Sequence, residues 1–274
     1  MKEPIKGLLR GIGLYDIVHK LWVNRPDLRA SCWNAGYRLA GAGDKLPIPP
    51  TRLIYLVTIS KEISWYLDSG RMCQESIFYV LQRNGLRMED FEAILDFGCG
   101  CGRTIRYWRP VKNQQLYGTD YNPELIEWCQ KKLARLAEFK TNKLSPPLDY
   151  ADEKFDFIYA ISVFTHLTEN LQDIWMKELA RVLKNGGFLL ITLHGKSRLF
   201  ELEPEERRRF NSGQLVVKQF EVAGTNFCGA YHPEQYVRNR LAEGFDGLDF
   251  IPQGARDANQ DIFLLRKPVK ILAL

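Results

Sequence analysis

Apolar positions along the chain switch period partway through. From Thr51 to about Asn84 they recur at three-and-four spacing (Ile54, Val57, Ile63, Tyr66, Ile77, Val80, Leu81), which predicts helix with a break near Ser69 and Gly70. Residues 8 to 40 carry a similar helical pattern, ended by the Gly- and Pro-rich "GAGDKLPIPP" at 41 to 50. Beyond residue 90 short apolar runs alternate with amphipathic stretches. "AILDF", "QLYGTD", "EFKTN", "FDFIYAI" and "FLLITLH" predict strands. "GRTIRYW", stopped by Pro110, "NPELIEWCQKKLARL", with Pro at its start, and "LQDIWMKELARVL", stopped by Gly186 and Gly187, predict helices. Strand and helix in alternation mean a doubly wound α/β fold, its parallel sheet covered on both faces.

After His194 the beat changes. Residues 196–240 read as an insertion holding a charged helix "PEERRRFN", a strand-like "LVVKQF" and a small-residue loop "AGTNFCGAYH". A helix "PEQYVRNRLAE" and two strands near "LDFIP" and "DIFLLRK" follow, which predicts a closing hairpin. The resulting division is an N-terminal arm or cap at 1–50 and a main domain at 51–274, with 196–240 on its substrate side.

Composition narrows the class. With 274 residues, 45% hydrophobic and 26% charged, the chain can bury one large core and is neither disordered nor membrane-embedded. Its six cysteines are scattered rather than arranged as a disulfide framework, and the first twenty residues lack the apolar core and cleavage site of a signal peptide. The expectation is therefore a cytoplasmic protein with no membrane partner. The net charge is +5, with the positive residues spread among acids along much of the chain; the densest patches, "KKLARLAEFKTNK" and "EERRRF", both read first as solvated helix faces, so a nucleic-acid partner is not the expectation.

Candidate chemistry centres on "ILDFGCGCGRT", residues 94–104, at the end of the first strand, where open parallel sheets bind ligands. Cys99 and Cys101 are one residue apart and no second ligand pair follows, so no metal site is expected. Arg103 stands where a dinucleotide-binding loop needs its third glycine, and a P-loop's lysine is absent. The spacing is D-x-G-x-G-x-G.

With that motif the chain resembles the class I S-adenosylmethionine-dependent methyltransferases. The likeness rests also on "LYGTDYNPELIEWC", "NKLSPPL", "FDFIYAISVFTHL" and "ELARVLKNGGFLLIT", and covers about residues 90–195. It implies a seven-stranded, mostly parallel, Rossmann-like sheet and S-adenosylmethionine as cofactor. It further implies that Asp96, Gly98, Gly100 and Gly102 form the loop under the cofactor, Asp120 accepts from both ribose hydroxyls, and Tyr121 lies beside the adenine. Asn142 would reach the adenine amine, the Leu144 backbone would contribute contacts, the Ala160 and Ile161 carbonyls would face the ammonium group, and Arg71 would pair with the carboxylate.

Methyl transfer from a sulfonium is an in-line displacement governed by positioning. A base is needed only where the acceptor must lose a proton, and the candidates are His194, His166 and His232. "ISVF" replaces the Asn/Asp-Pro-Pro-aromatic motif of nucleobase amine methylation. The expected acceptor is accordingly an oxygen, nitrogen or carbon atom of a small molecule. Attack on another carbon of the cofactor, releasing methylthioadenosine, and a non-catalytic or RNA-binding protein on this fold are the alternatives. Oligomeric state is not readable from the sequence.

Overall fold

The computed structural model describes residues 28–108 and 114–269. His19, Pro110 and the helical pattern of residues 8–27 lie outside them. The chain divides into two compact units between Tyr66 and Leu67.

The first unit contains helices α1 (Leu28–Ala40) and α2 (Thr51–Thr58) and the start of α3 (Ile63–Arg83). The buried Asn34 amide ties α1 to the segment entering α3: its Nδ2 donates to the Lys61 carbonyl (2.8 Å) and its Oδ1 accepts from the Ile63 N–H (2.8 Å). The expected helix break is displaced. α2 ends at Ile59, in the left-handed conformation, whereas Ser69 and Gly70 lie inside α3. Gly70 serves close approach instead of chain reversal, because a Cβ there would overlap the Arg103 carbonyl.

The second unit holds the sheet. Strands β1 (Ala93–Phe97), β2 (Gln115–Asp120), β3 (Glu138–Thr141), β4 (Phe155–Ala160) and β5 (Leu183–Leu193) run parallel. Helices α4 (Pro123–Lys132) and α5 (Glu169–Val182) connect them. After the insertion, with helix α6 (Pro204–Asn211), the small ladder β6 (Val216–Lys218) with β7 (Gly229–Tyr231) and the short helix α7 (Glu234–Tyr236), come β8 (Asp246–Ala255) and β9 (Gln260–Arg266). The order is β3-β2-β1-β4-β5-β9-β8, seven strands with β9 antiparallel to both neighbours. β1 is buried at every position, as a central parallel strand requires. The connections reverse direction beside β1 and β4, so the carboxyl ends of these strands open a cleft.

Local details differ from expectation in two places. "GRTIRYW" forms turns and a 3-10 turn at Ile105–Tyr107 instead of a regular helix. Gly186 and Gly187 do not cap α5, which ends at Val182; they lie within β5, at an irregularity in its pairing with β4, where the Gly186 N–H donates to the Lys267 carbonyl (2.9 Å). No helix among the described residues is long and apolar enough to cross a membrane.

Candidate functional site

The loop after β1 is folded back onto the end of β2. The Gly98 and Cys99 N–H groups donate to the Thr119 carbonyl (2.8 and 3.0 Å), and the Gly100 N–H donates to Asp120 Oδ2 (2.9 Å). Gly98 and Gly102 both have φ of +81°, a region glycine enters without strain. A Cβ would overlap Val163 at Gly98 and Leu133 at Gly102. These glycines therefore answer to packing as well as to a ligand. Cys99 and Cys129 each donate a thiol to the Gly100 carbonyl (3.6 and 3.5 Å), and burial pushes the Cys99 thiol well above its ordinary range, which leaves it an inert filler.

Two buried carboxylates face this loop. Asp96 Oδ2 accepts no hydrogen bond; burial, with repulsion from Asp120 adding to it, pushes the group up to about 7 against the pull of the Tyr159 hydroxyl and of Arg103. Asp120 is pushed by burial up to about 6 although the Asn122 and Gly100 N–H groups favour its charged form. An unpartnered buried carboxylate oxygen beside a second carboxylate can receive a cationic ligand with hydroxyls, the donor set an aminoacyl sulfonium nucleoside presents.

Tyr121 (37% exposed) and Leu144 come together against Gly224 of the insertion, where a Cβ would overlap Leu144. The Leu144 carbonyl accepts from Trp175 Nε1 (2.9 Å). Asn142 is internally engaged: its Oδ1 accepts from the Thr119 hydroxyl (2.5 Å) and its Nδ2 donates to the Lys143 carbonyl (2.7 Å), so one lone pair of Oδ1 is left for an adenine amine. Ala160 is the last residue of β4 and Ile161 follows it, at the carboxyl end of the strand next to β1. Arg71 is not brought in; its exposed side chain spans Glu75 (2.8 Å) and Asp68 (3.5 Å) on its own helix. Tyr66 and Phe164 are fully buried core.

The three candidate histidines, far apart in sequence, converge. The rings of His166 and His194 are 6.3 Å apart and perpendicular. His232, 2% exposed, is held by Gln172 Oε1 (3.0 Å). Because the Gln172 amide donates to the Phe164 and Leu167 carbonyls, its oxygen must accept, which fixes His232 as the neutral Nε2–H form. Burial drives both His194 and His232 down to about 3, so neither takes up a proton near neutrality. His166 lies differently: Nδ1 contacts the Cys228 carbonyl (2.7 Å) and must donate, which leaves the Nε2 lone pair 3.5 Å from Ser162 Oγ. Burial lowers its pKa too, and the Cys228 carbonyl opposes that shift.

Around Ser162 lies a network with no counterpart in the expectations above. Ser162 has φ of +59°, left-handed for a residue with a side chain. Its N–H donates to Thr192 Oγ1 (2.8 Å), the Thr192 hydroxyl donates to Gln260 Oε1 (2.6 Å), and Gln260 Nε2 donates to Ser162 Oγ (2.8 Å). Ser162, directly after Ile161 at a strand's carboxyl end, carried a positional signal; Gln260, in the closing hairpin, carried none. Arg103 is likewise absorbed structurally, in a buried ion pair with Asp257 (2.9 Å). No group of three or more potential metal ligands occurs among the described residues.

A methyltransferase-domain family matches residues 95–191. The chain is 25% identical over 172 residues to the tRNA N(3)-cytidine methyltransferase METTL2 of Gallus gallus, covering 57% of this chain and 44% of that protein. It is 30% identical over 104 residues to the methyltransferase GfsG of Streptomyces halstedii, 36% of each chain. The chain thus spans less than half the length of these relatives. The structure of human N-acetylserotonin methyltransferase in complex with S-adenosylmethionine shares the fold, with a TM-score of 0.51 at 15% identity over 86% of this chain and 59% of that one. Residues 95–191 thus carry a methyltransferase domain on the class I, S-adenosylmethionine-dependent fold, with the glycine loop and the paired carboxylates at the carboxyl ends of β1 and β2.

Proposed function

We propose that this protein transfers a methyl group to a small-molecule nucleophile, with His166 as the group that takes the acceptor's proton. The observation that carries this reading is the His166 imidazole, held in one tautomer by the Cys228 carbonyl with its Nε2 lone pair turned to the strand ends. When bound, S-adenosylmethionine supplies an electrophilic methyl on a positively charged sulfur. Asp120 would hold the ribose, Asp96 would attract the ammonium group, and the Gly224 segment with Tyr121 and Leu144 would shield the adenine.

An RNA acceptor would call for a free basic surface, and here the basic patches are partly paired with nearby acids. Lys131 pairs with Glu127, Arg208 with Glu205, and Lys140 with Asp149 (3.1 Å). A reducing, cytoplasmic compartment is consistent with all six cysteines being free thiols.

Incubation with S-adenosylmethionine, with and without a cell metabolite extract, tests the proposal by mass spectrometry of the nucleoside product. S-adenosylhomocysteine formed only with extract is expected; methylthioadenosine formed without acceptor would overturn it.

Protonation should oppose cofactor binding. Asp96 and Asp120 take up protons near 7 and 6 in the free protein, and only their ionised forms accept from ribose hydroxyls and attract an ammonium group. S-adenosylhomocysteine is therefore expected to bind roughly a hundredfold more weakly at about pH 5.5 than at about pH 7.5, with protons released on binding at the lower pH. Titration calorimetry in buffers of different ionisation enthalpy measures both.

A further inference from the structure

We infer that Asp96, Tyr159 and Trp108 together bind one water molecule beneath the glycine loop, and that Tyr159 and Trp108 act through it as positioning residues for the Asp96 carboxylate. The inference rests on the reading above in which Asp96 attracts the cofactor's ammonium group, and it supplies what aims that carboxylate.

Three orphaned atoms carry it. Asp96 Oδ2, the Tyr159 hydroxyl and Trp108 Nε1 are buried without a hydrogen-bond partner, in residues at most 3% exposed. Asp96 on β1 stands opposite Tyr159 in the parallel pairing with β4, so the two side chains leave the same face of the sheet. Trp108 follows the 3-10 turn after the glycine loop and lays its ring on that of Tyr159, 5.2 Å away and 20° from parallel. Phe157 and Phe78 of α3 pack around the indole, at 6.4 and 5.5 Å, so the three polar atoms have an apolar surround.

Donors and acceptor face one another here without meeting. Tyr159 lies within electrostatic reach of both Asp96 and Trp108, yet none of the three atoms attains the distance and angle of a hydrogen bond. Buried polar groups in that relation are bridged by ordered water. A water accepts from the Trp108 N–H and the Tyr159 O–H and donates to Asp96 Oδ2, which makes three bonds, the usual number for a buried water. A cation would meet the indole proton and an anion the carboxylate, whereas water both accepts and donates. Oδ2 keeps a second lone pair for the ammonium group.

The charges around Asp96 make this support felt near neutrality. Asp120 on β2 repels it and the Cys99 thiol lies near, while Arg103, itself paired with Asp257, the Tyr159 hydroxyl and the Ile105 N–H favour its charged form. Burial outweighs these pulls and leaves the group at about 7. Removing a donor that favours the carboxylate raises that value, so the ionised form that attracts an ammonium group is then reached only at higher pH.

The test measures S-adenosylhomocysteine binding to the full-length protein by calorimetry, across pH, in Tyr159→Phe, Trp108→Phe and the double variant, all of which keep the rings. Each single variant should bind about tenfold more weakly than wild type near about pH 7.5, narrowing to about twofold near about pH 8.5. The double variant should lose no more than the weaker single one, because both donors act through the same water. A high-resolution crystal structure should show one ordered water touching all three atoms. Wild-type affinity in both single variants, a loss equal at every pH, additive losses, or a direct contact in place of the water would overturn the inference. Asp96→Asn separates it from the reading beneath: weak binding there with wild-type binding in the ring variants sinks the water site alone, and wild-type binding in Asp96→Asn sinks both. Should Tyr159→Phe fail to fold, Trp108→Phe and the crystal structure decide.

Discussion

Replacing His166 by alanine is expected to lower kcat by about 10²–10⁴-fold, the usual contribution of a positioned proton acceptor, while S-adenosylhomocysteine binds as in the wild type. The expectation follows from the division of roles among three neighbouring imidazoles. His194 and His232 are driven so far down by burial that they stay neutral and bind protons poorly. His166 is also lowered, by burial and against the pull of the Cys228 carbonyl, so it is unprotonated at neutral pH and ready to accept. The acid limb of the kcat profile should accordingly fall below the ordinary histidine value of about 6.5 and disappear in the variant. His194→Ala serves as the comparison: equal losses in both variants would indicate shared packing, and wild-type turnover in His166→Ala would remove this residue from proton transfer.

Asp120→Ala is expected to weaken S-adenosylhomocysteine binding by at least about a hundredfold. Loss of a charged acceptor for the ribose hydroxyls accounts for about ten- to a hundredfold. The remainder comes from the loop itself, because Asp120 Oδ2 holds the Gly100 N–H and Oδ1 holds the Asn122 N–H at the start of α4. Removing the side chain leaves two backbone donors without partners beneath the ligand. Asp120→Asn keeps acceptors for part of this set and should lose less. Calorimetry reads both variants, and affinity within a few-fold of wild type would place the ribose elsewhere.

The strands carrying Asp96 and Asp120 are readable from apolar runs, because a parallel strand buried on both faces must be apolar almost throughout; Asp96 stands out in "AILDF" for that reason. Asp120 is legible because it ends the next strand, and the strand ends define the cleft. Arg71 is engaged by acids at i−3 and i+4, a pairing that the sequence alone does not distinguish from a ligand-binding arginine on a helix surface. Ser69 and Gly70 misled because the requirement for glycine there comes from the Arg103 carbonyl, a neighbour distant in the chain.

By itself the sequence determined the order of strands and helices, the glycine loop and the acids beneath it, since these depend on periodicity and on contacts between near neighbours. Only the tertiary structure decided which histidine can accept a proton. That choice depends on the Cys228 carbonyl fixing a tautomer, on burial depressing His194 and His232, and on Gln260 turning the Ser162 hydroxyl, all interactions between segments that meet only when the sheet closes.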